Sequence, residues 1–369
     1  MFCHVLAWSP LVQVRSRPGP RKTVPNAANN RPPPTRIMSF LKAADIRLSV
    51  APMMERTDRH CRYLHRLLSK RVRLYTEMVV AQALHYASDP TRWLAHDRSE
   101  HPVAFQLGGS DPKMLAGAAR KIADAGFDEI NLNAGCPSDR VSSGRFGACL
   151  MAEPGVIGDC ISAMKNVVNI PITLKTRIGI DQDEGDDRLN QVADAAIAAG
   201  CDAIIVHARN AVLQGLSPKE NREIPPLRYD RVYRLKVSRP HVPVILNGGV
   251  TTLTDTAKHL EKVDGVMIGR AAYERPFDVL GPADQHIFGG QGIASEIEIA
   301  RSFLNYAERE IAAGERPLAV LKHAVNLFRN RPGARQWRQI VSTANSDRNA
   351  AARLGRLLDE DLGAEVLAA

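Results

Sequence analysis

Between residues 45 and 285 eight short β-rich runs alternate with helical patterns, and this alternation constrains the fold more than any other feature. The strand candidates are Ile46–Ala51, Val72–Glu77, Val103–Leu107, Glu129–Asn133, Ile172–Thr176, Ala203–His207, Val244–Asn247 and Gly265–Ile268. Between them Pro112–Ala125, Val156–Val167, Leu189–Ala199 and Leu253–Glu261 read as amphipathic or Ala-rich helices. Several end at a glycine followed closely by an acid, as in Ala125-Gly126-Phe127-Asp128 and Ala199-Gly200-Cys201-Asp202. Glycine caps the helix and the next strand starts directly after it. Eight β/α units in about 240 residues predict a (β/α)8 TIM barrel. A doubly wound sheet is the alternative, but its Gly-rich loop should follow the first strand. Ala51-Pro52-Met53-Met54 stands there instead. After Pro282 the pattern turns helical, at Ile297–Ala313, Pro317–Phe328, Trp337–Ser342 and Ala350–Leu358. The expected organisation is an α/β barrel over 39–285 and a small C-terminal helical domain over 290–369.

Charge sharpens this division. The chain carries 49 basic and 40 acidic residues, a net +9, which hints at an anionic partner. Six of those charges lie in residues 1–38, which hold six basic residues and no acid in a Pro- and Asn-rich context. Such a segment cannot bury enough surface to offset its ordering entropy, so a disordered basic extension is expected. It lacks the apolar core of a secretory signal; a transit-like presequence, or translation beginning at Met38, are the other readings. Two clusters sit inside the folded part. One runs from Arg56 to Arg73 (Arg56, Arg59, Arg62, Arg66, Lys70, Arg71, Arg73) and the other from Lys322 to Arg338 (Lys322, Arg329, Arg331, Arg335, Arg338). Each is either a solvated face or a surface for nucleic acid.

Aromatics are only 5%, which weakens any scheme built on many base-stacking rings. No apolar run approaches a membrane span, so no membrane partner is expected. The six cysteines form no C-x-x-C pair, which argues against a structural zinc site and, in a chain of this size, against a disulfide framework. A reducing cytoplasm is the natural setting, and a monomer the default. Cys136 differs from the other cysteines, because it follows an apolar strand in Asn133-Ala134-Gly135-Cys136-Pro137, a loop position where a thiol can be exposed.

In a TIM barrel the catalytic groups stand at the C-terminal strand ends. Read in order, these are Met53, Glu77, Gln106, Asn133 with Cys136, Lys175 with Arg177, His207 with Arg209, Asn247-Gly248-Gly249, and Gly269-Arg270. Each alone has a bland explanation, but polar or cationic groups at nearly all eight ends do not fit a purely structural set. The last two loops occupy the standard phosphate site of this fold. Glycines let backbone N–H groups approach a phosphate, and Arg270 adds a charged fork. Lys175 suits either a Schiff-base lysine or a fixed cation beside a reduced flavin. Gln106 offers an acceptor and two donors to an amide-like ring edge. Phosphate loops, a cation, an amide and a loop thiol together fit a flavin mononucleotide site better than an aldolase.

These residues resemble a known family. Ala51-Pro52-Met53-Met54, Gln106-Leu107-Gly108-Gly109, Asn131-Leu132-Asn133-Ala134-Gly135-Cys136-Pro137-Ser138, His207-Ala208-Arg209 and Asn247-Gly248-Gly249 resemble the tRNA-dihydrouridine synthases. The stretch from Gln214 to Leu227 and Pro332-Gly333-Ala334-Arg335-Gln336-Trp337-Arg338 are similar to the A subfamily. The resemblance covers about residues 45–345. It implies an FMN-dependent enzyme, with NADPH (or NADH) as reductant, that reduces uridine to dihydrouridine at positions 20 and 20a of the tRNA D-loop. It further implies that Pro52, Met53 and Met54 flank the flavin ring, and that Gln106, Lys175 and His207 contact the ring or its ribityl chain. Asn247, Gly248, Gly249, Gly269 and Arg270 would hold its phosphate. Cys136 would deliver a proton to C5 after hydride reaches C6, a role suited to a group that is mostly protonated at neutral pH. Asn133, Lys219, Arg222, Arg335 and Arg338 are the candidates for tRNA contacts. No metal is implied. The rival readings are a flavin reductase of a small pyrimidine, which would not need a basic helical domain, and a tRNA-binding module without chemistry.

Overall fold

Eight parallel strands form because each short apolar run is buried on both faces, between an inner barrel core and an outer helical ring. They are β1 (Leu48–Val50), β2 (Leu74–Val80), β3 (Val103–Gly108), β4 (Glu129–Ala134), β5 (Ile172–Arg177), β6 (Ala203–His207), β7 (Val244–Asn247) and β8 (Gly265–Ile268). The strand order runs from β1 through β8 and β7 down to β2. The barrel closes where Val50 N–H donates to Arg73 O (2.9 Å) and Arg73 N–H to Leu48 O (3.1 Å). The computed structural model describes residues 46–138, 144, 146–293, 295–345 and 347–362. The basic extension expected at residues 1–38 lies outside them.

The helices of this part are α1 (Arg59–Leu68), α2 (Ala81–Tyr86), α3 (Thr91–Leu94), α4 (Pro112–Asp124), α5 (Pro154–Lys165), α6 (Asp187–Ala198), α7 (Tyr229–Ser238), α8 (Leu253–Leu260), α9 (Arg270–Glu274), α10 (Pro276–Val279) and α11 (Ala283–Phe288). The acid just before a strand has a repeated use at the barrel floor. Asp128 accepts from Val103 N (2.6 Å), Asp202 from Ile172 N (2.7 Å) and Asp264 from Val244 N (2.8 Å). Each carboxylate thus satisfies the first N–H of the strand preceding its own, a donor that would otherwise be stranded at the barrel rim.

The helical domain follows as α12 (Glu296–Ala312), α13 (Pro317–Leu321), α14 (Ala334–Ser342) and α15 (Ala350–Leu357). Phe303, Leu304, Trp337, Val341 and Leu354 form its core. The single helix expected over Pro317–Phe328 is instead α13 continued by a tighter 3-10 turn at Lys322–Asn326. The Trp337 indole donates to Ala324 O at 2.7 Å, and Phe328 and Asn330 take positive φ, so the α-helix cannot run on.

Two more readings are corrected. β2 continues to Val80 past an irregularity between Tyr75 and Met78, so Glu77 is not its end. The first basic cluster is largely structural. Its centre is α1, which packs Leu64 into the core of the helical domain. Arg62 is buried against Glu100 at 2.6 Å. Arg66, also buried, donates to Ser69 O, Val72 O and Glu100 O. Arg73 pairs with Glu129 at 3.2 Å. Arg59 binds Glu310 (2.6 Å) and Glu315 (2.8 Å), whose carboxylates also lie near His60. Arg59, Arg62, Arg66 and Arg73 are thus engaged by partners within the protein, which leaves Lys70 and Arg71 as the exposed members of the run. The α1 cap Asp58 ties the two parts together, receiving Lys322 Nζ at 3.0 Å and His323 Nε2 at 2.8 Å from the helical domain.

Candidate active site

Parallel register places one polar side chain beside the next around the barrel mouth. Gln106 is level with Asn131, Asn133 with Lys175, Arg177 with His207, and His207 with Asn247. These residues were expected at the strand ends, and the barrel brings them together.

The Cys136 loop is anchored at both N–H and C=O groups. Asn133 Oδ1 accepts from Gly135 N and from Cys136 N, each at 3.0 Å. Arg177 Nε donates to Gly135 O at 2.9 Å, and Ala148 N to Cys136 O at 2.9 Å. The Gly135 Cα sits so close to strand β5 that a Cβ would lie 3.1 Å from the Thr176 carbonyl carbon. The thiol itself is partly exposed, with Sγ 3.4 Å from Ser138 Oγ.

Around this thiol the charge is mostly positive. Lys175 is half-buried and has no hydrogen-bond or ion-pair partner among the described residues. Burial and the neighbouring Arg177 and Arg222 pull its pKa down to about 8, against the opposing influence of Cys136. His207 is buried, and burial together with Arg177, Lys175, Arg209 and Arg222 holds its pKa well below the ordinary value. It is therefore neutral at pH 7, and its ring nitrogens have no partner among the described residues. Arg177 is a fixed scaffold rather than a free cation, since it also donates to Asn210 O and Asn221 O, both at 2.9 Å.

The two loops expected to hold a phosphate differ between themselves. Gly248 and Gly249 have φ of +110° and +71°. A Cβ on Gly248 would lie 2.4 Å from His207 Cδ2, and one on Gly249 would lie 2.5 Å from Leu227 Cδ1. Only glycine fits this cradle, which Tyr229 OH supports by donating to Gly248 O at 2.8 Å. At Gly269 a Cβ would meet only Ala51, at 3.9 Å. Arg270 is exposed and pairs with Glu223 at 2.6 Å. Asn247 uses its amide N–H on Met267 O (2.7 Å), which ties β7 to β8.

The remaining expected residues fall into three groups. Pro52 and Met53 are half-buried in the turn after β1, whereas Met54 is 60% exposed. Gln106 and Asn133 are buried and bonded to each other, Asn133 Nδ2 donating to Gln106 Oε1 at 3.0 Å. Lys219, Arg222, Arg335 and Arg338 are exposed. Of the second basic cluster, Lys322 is bound to Asp58 and Arg331 to Glu296 (2.7 Å), which leaves Arg329, Arg335 and Arg338 without partners among the described residues.

Sequence reasoning missed two organisers of the β6 loop. Asn221, fully buried, donates to Val212 O and Leu216 O and accepts from Val212 N. Arg231, 1% exposed, spans Asp186, Ile178 O and Asn210. Arg231 gives no local sequence signal, because its partners lie far back in the chain.

The family model for dihydrouridine synthase matches residues 49–362. The chain is 51% identical over 298 residues to a Vibrio vulnificus tRNA-dihydrouridine(20/20a) synthase, covering 80% of this chain and 90% of that relative. It is 50% identical over 300 residues to the protein of the same name from Xanthomonas axonopodis pv. citri (81% and 89%). The same-named Escherichia coli K12 protein is 49% identical over 298 residues (80% and 86%). With a family match over most of its length and relatives at about half identity, the chain belongs to the dihydrouridine synthase family.

Proposed function

We propose that this chain reduces uridine to 5,6-dihydrouridine in the D-loop of tRNA, at positions 20 and 20a, with barrel 39–285 as the catalytic part and 290–369 as the helical tRNA-binding part. The observation that carries the reading is the anchored, partly exposed Cys136 thiol on the rim of a mouth lined by Lys175, His207 and Arg222.

The residues present fit flavin mononucleotide. The Gly248–Gly249 backbone forms a cradle that any Cβ would fill, and Lys175 and neutral His207 have no partners among the described residues to release. Asn247, Gly248, Gly249, Gly269 and Arg270 would hold the phosphate, Arg270 exchanging Glu223 for it. Gln106, Lys175 and His207 would line the ring and ribityl chain, with Pro52, Met53 and Met54 flanking it. Flavin bound there, reduced by NADPH or NADH, supplies the hydride for C6 of the uracil.

The chain's own residues do the rest. Lys175 sets a positive charge beside the anionic edge of a reduced ring. Cys136 Sγ–H gives its proton to C5, on a loop whose position Asn133 and Arg177 fix. The target base must leave its stack to reach the mouth. Lys219, Arg222, Arg335 and Arg338 meet phosphates, which suits recognition of structured RNA by shape and charge with few aromatics. Asn133, with its carbonyl committed to the loop, keeps one N–H for the bound base.

The test is NADPH oxidation dependent on unmodified tRNA, in a preparation with flavin absorption. Cys136→Ala is expected to keep its flavin and lose most turnover. A wild-type rate in that variant would overturn the proton-donor role, and oxidation driven by a free pyrimidine instead of tRNA would overturn the substrate.

A further inference from the structure

A continuous line of buried polar side chains crosses the barrel from its floor to the Cys136 loop. On β4 the alternate residues Glu129, Asn131 and Asn133 face inward, spanning about 13 Å at the usual rise of a strand. Their neighbours complete the line. At the floor Glu129 Oε2 faces Arg73 at 3.2 Å, while Glu129 Oε1 accepts from Tyr75 OH at 2.7 Å and from Thr173 Oγ1 at 2.5 Å. Thr173 Oγ1 accepts from Asn131 Nδ2 at 2.8 Å. Asn131 Oδ1 accepts from Gln106 Nε2 at 2.7 Å. Gln106 Oε1 accepts from Asn133 Nδ2 at 3.0 Å, and Asn133 Oδ1 accepts the two N–H groups of Gly135 and Cys136. None of the side chains in this line is more than 8% exposed.

The direction of the line is dictated from the floor. Beside a permanently charged guanidinium Glu129 is an acceptor at both oxygens. Burial and Glu129 push the Tyr75 phenol well above its ordinary pKa, so it stays a donor. Thr173 has one proton and spends it on Glu129, which leaves its lone pairs to accept. Asn131 must then turn its NH2 to Thr173 and its carbonyl to Gln106. Gln106 in turn presents its carbonyl to Asn133, and Asn133 its carbonyl to the loop. Reversing any amide would set donor against donor or acceptor against acceptor at two buried contacts.

We propose that Glu129, with Arg73 and Thr173, is a positioning element for Cys136: the floor ion pair sets the orientation of three amides and so presents the carbonyl of Asn133 to the thiol loop. The carbonyls of Gly135 and Cys136 are taken by Arg177 and Ala148, so Asn133 is the anchor of their N–H groups. The consequence for turnover rests on the proton-donor reading of Cys136; the orientation itself does not.

The test compares Thr173→Val, which removes the linking hydroxyl at nearly constant shape, with Thr173→Ser, which keeps it, in the full-length flavin-loaded protein. Hydrogen exchange at the Gly135 and Cys136 amides is expected to speed up about tenfold or more in the valine variant, the scale of a lost buried hydrogen bond. The serine variant should restore it. Iodoacetamide alkylation of Cys136, followed by peptide mass spectrometry, should change rate in the same variant and recover in the other. tRNA reduction should follow both. Exchange and alkylation at wild-type rates in Thr173→Val would overturn the proposal. Loss of uridine reduction in the wild type would sink the enzymatic reading and leave these two readouts to decide the orientation. Should the valine variant fail to fold, the wild-type protein still decides. Slow exchange of the Gln106 and Asn131 side-chain amides is required, and exchange at free-amide rates would overturn the proposal.

Discussion

Replacing Gly248 with alanine puts a methyl group where the structure has no room for one. The added Cβ would sit 2.4 Å from His207 Cδ2 and 2.9 Å from Nε2, against an ordinary contact beginning at 3.4 Å. The imidazole must retreat by about 1 Å, because a close-packed site offers no slack. The backbone adds strain of its own, since a φ of +110° belongs to glycine and costs an L residue on the order of 1–3 kcal/mol. Losing the His207 contact to a bound flavin is worth about 1–3 kcal/mol, so affinity is expected to fall about tenfold to 100-fold, and the backbone strain lowers the thermal midpoint. Titration of the apoprotein with flavin mononucleotide, followed by fluorescence quenching, reads the first effect, and a thermal melt reads the second. Gly155→Ala is the control. Gly155 lies in the first turn of α5 with nothing within 4 Å of an added Cβ, so it should leave flavin binding alone and hold or slightly raise stability. Wild-type affinity and stability in Gly248→Ala would refute the cradle.

Two further outcomes follow from charge. Arg335→Ala and Arg338→Ala should weaken tRNA binding and reduce the slope of log affinity against log salt by about 1 each, with flavin content unchanged; an unaltered salt titration would make the two arginines a solvated face. The seam between α1 and the helical domain should be acid-labile. Burial lowers the pKa of His60 to about 4 and of His65 to about 3, with Arg59 and Arg66 among the neighbouring charges that add to it. The unfolded chain takes up those protons near pH 6.5 and the folded chain does not, so stability is full above that pH and falls below it. At pH 5 the loss is roughly 2 kcal/mol per histidine. Denaturant unfolding at pH 7 and pH 5 measures it, and equal stabilities would show that the two rings are protonated without cost.

Much of this architecture is legible in one dimension because its signals are local. Strands β6, β7 and β8 end where their apolar runs end, and α12 begins one residue before its expected start. The convergence of Gln106, Asn133, Lys175, His207 and Asn247 is legible for the same reason, since the fold brings strand-end residues together. What escapes is whatever depends on partners distant in sequence. Arg62 looks like part of a solvated charge run until the fold brings Glu100 to it, 38 residues away. Arg231 carries no local signal, because Asp186 and Asn210 reach it only in the fold. Asn133 is legible as a strand-end residue, but the hold of its carbonyl on the thiol loop and of one of its amide hydrogens on Gln106 is not. The helix expected over Pro317–Phe328 fails because a tryptophan indole takes the carbonyl of Ala324, which a helical pattern does not reveal.

The proposed reaction is the reduction of a uridine in tRNA, with Cys136 supplying the proton that completes it. It is tested most directly by nucleoside mass analysis of the D-loop after unmodified tRNA is incubated with the flavin-loaded protein and NADPH. The expected result is the gain of two hydrogens on uridines at positions 20 and 20a with the wild type, and almost none with Cys136→Ala at equal flavin content. Unreduced uridine at both positions, in a preparation whose flavin NADPH does reduce, would contradict it.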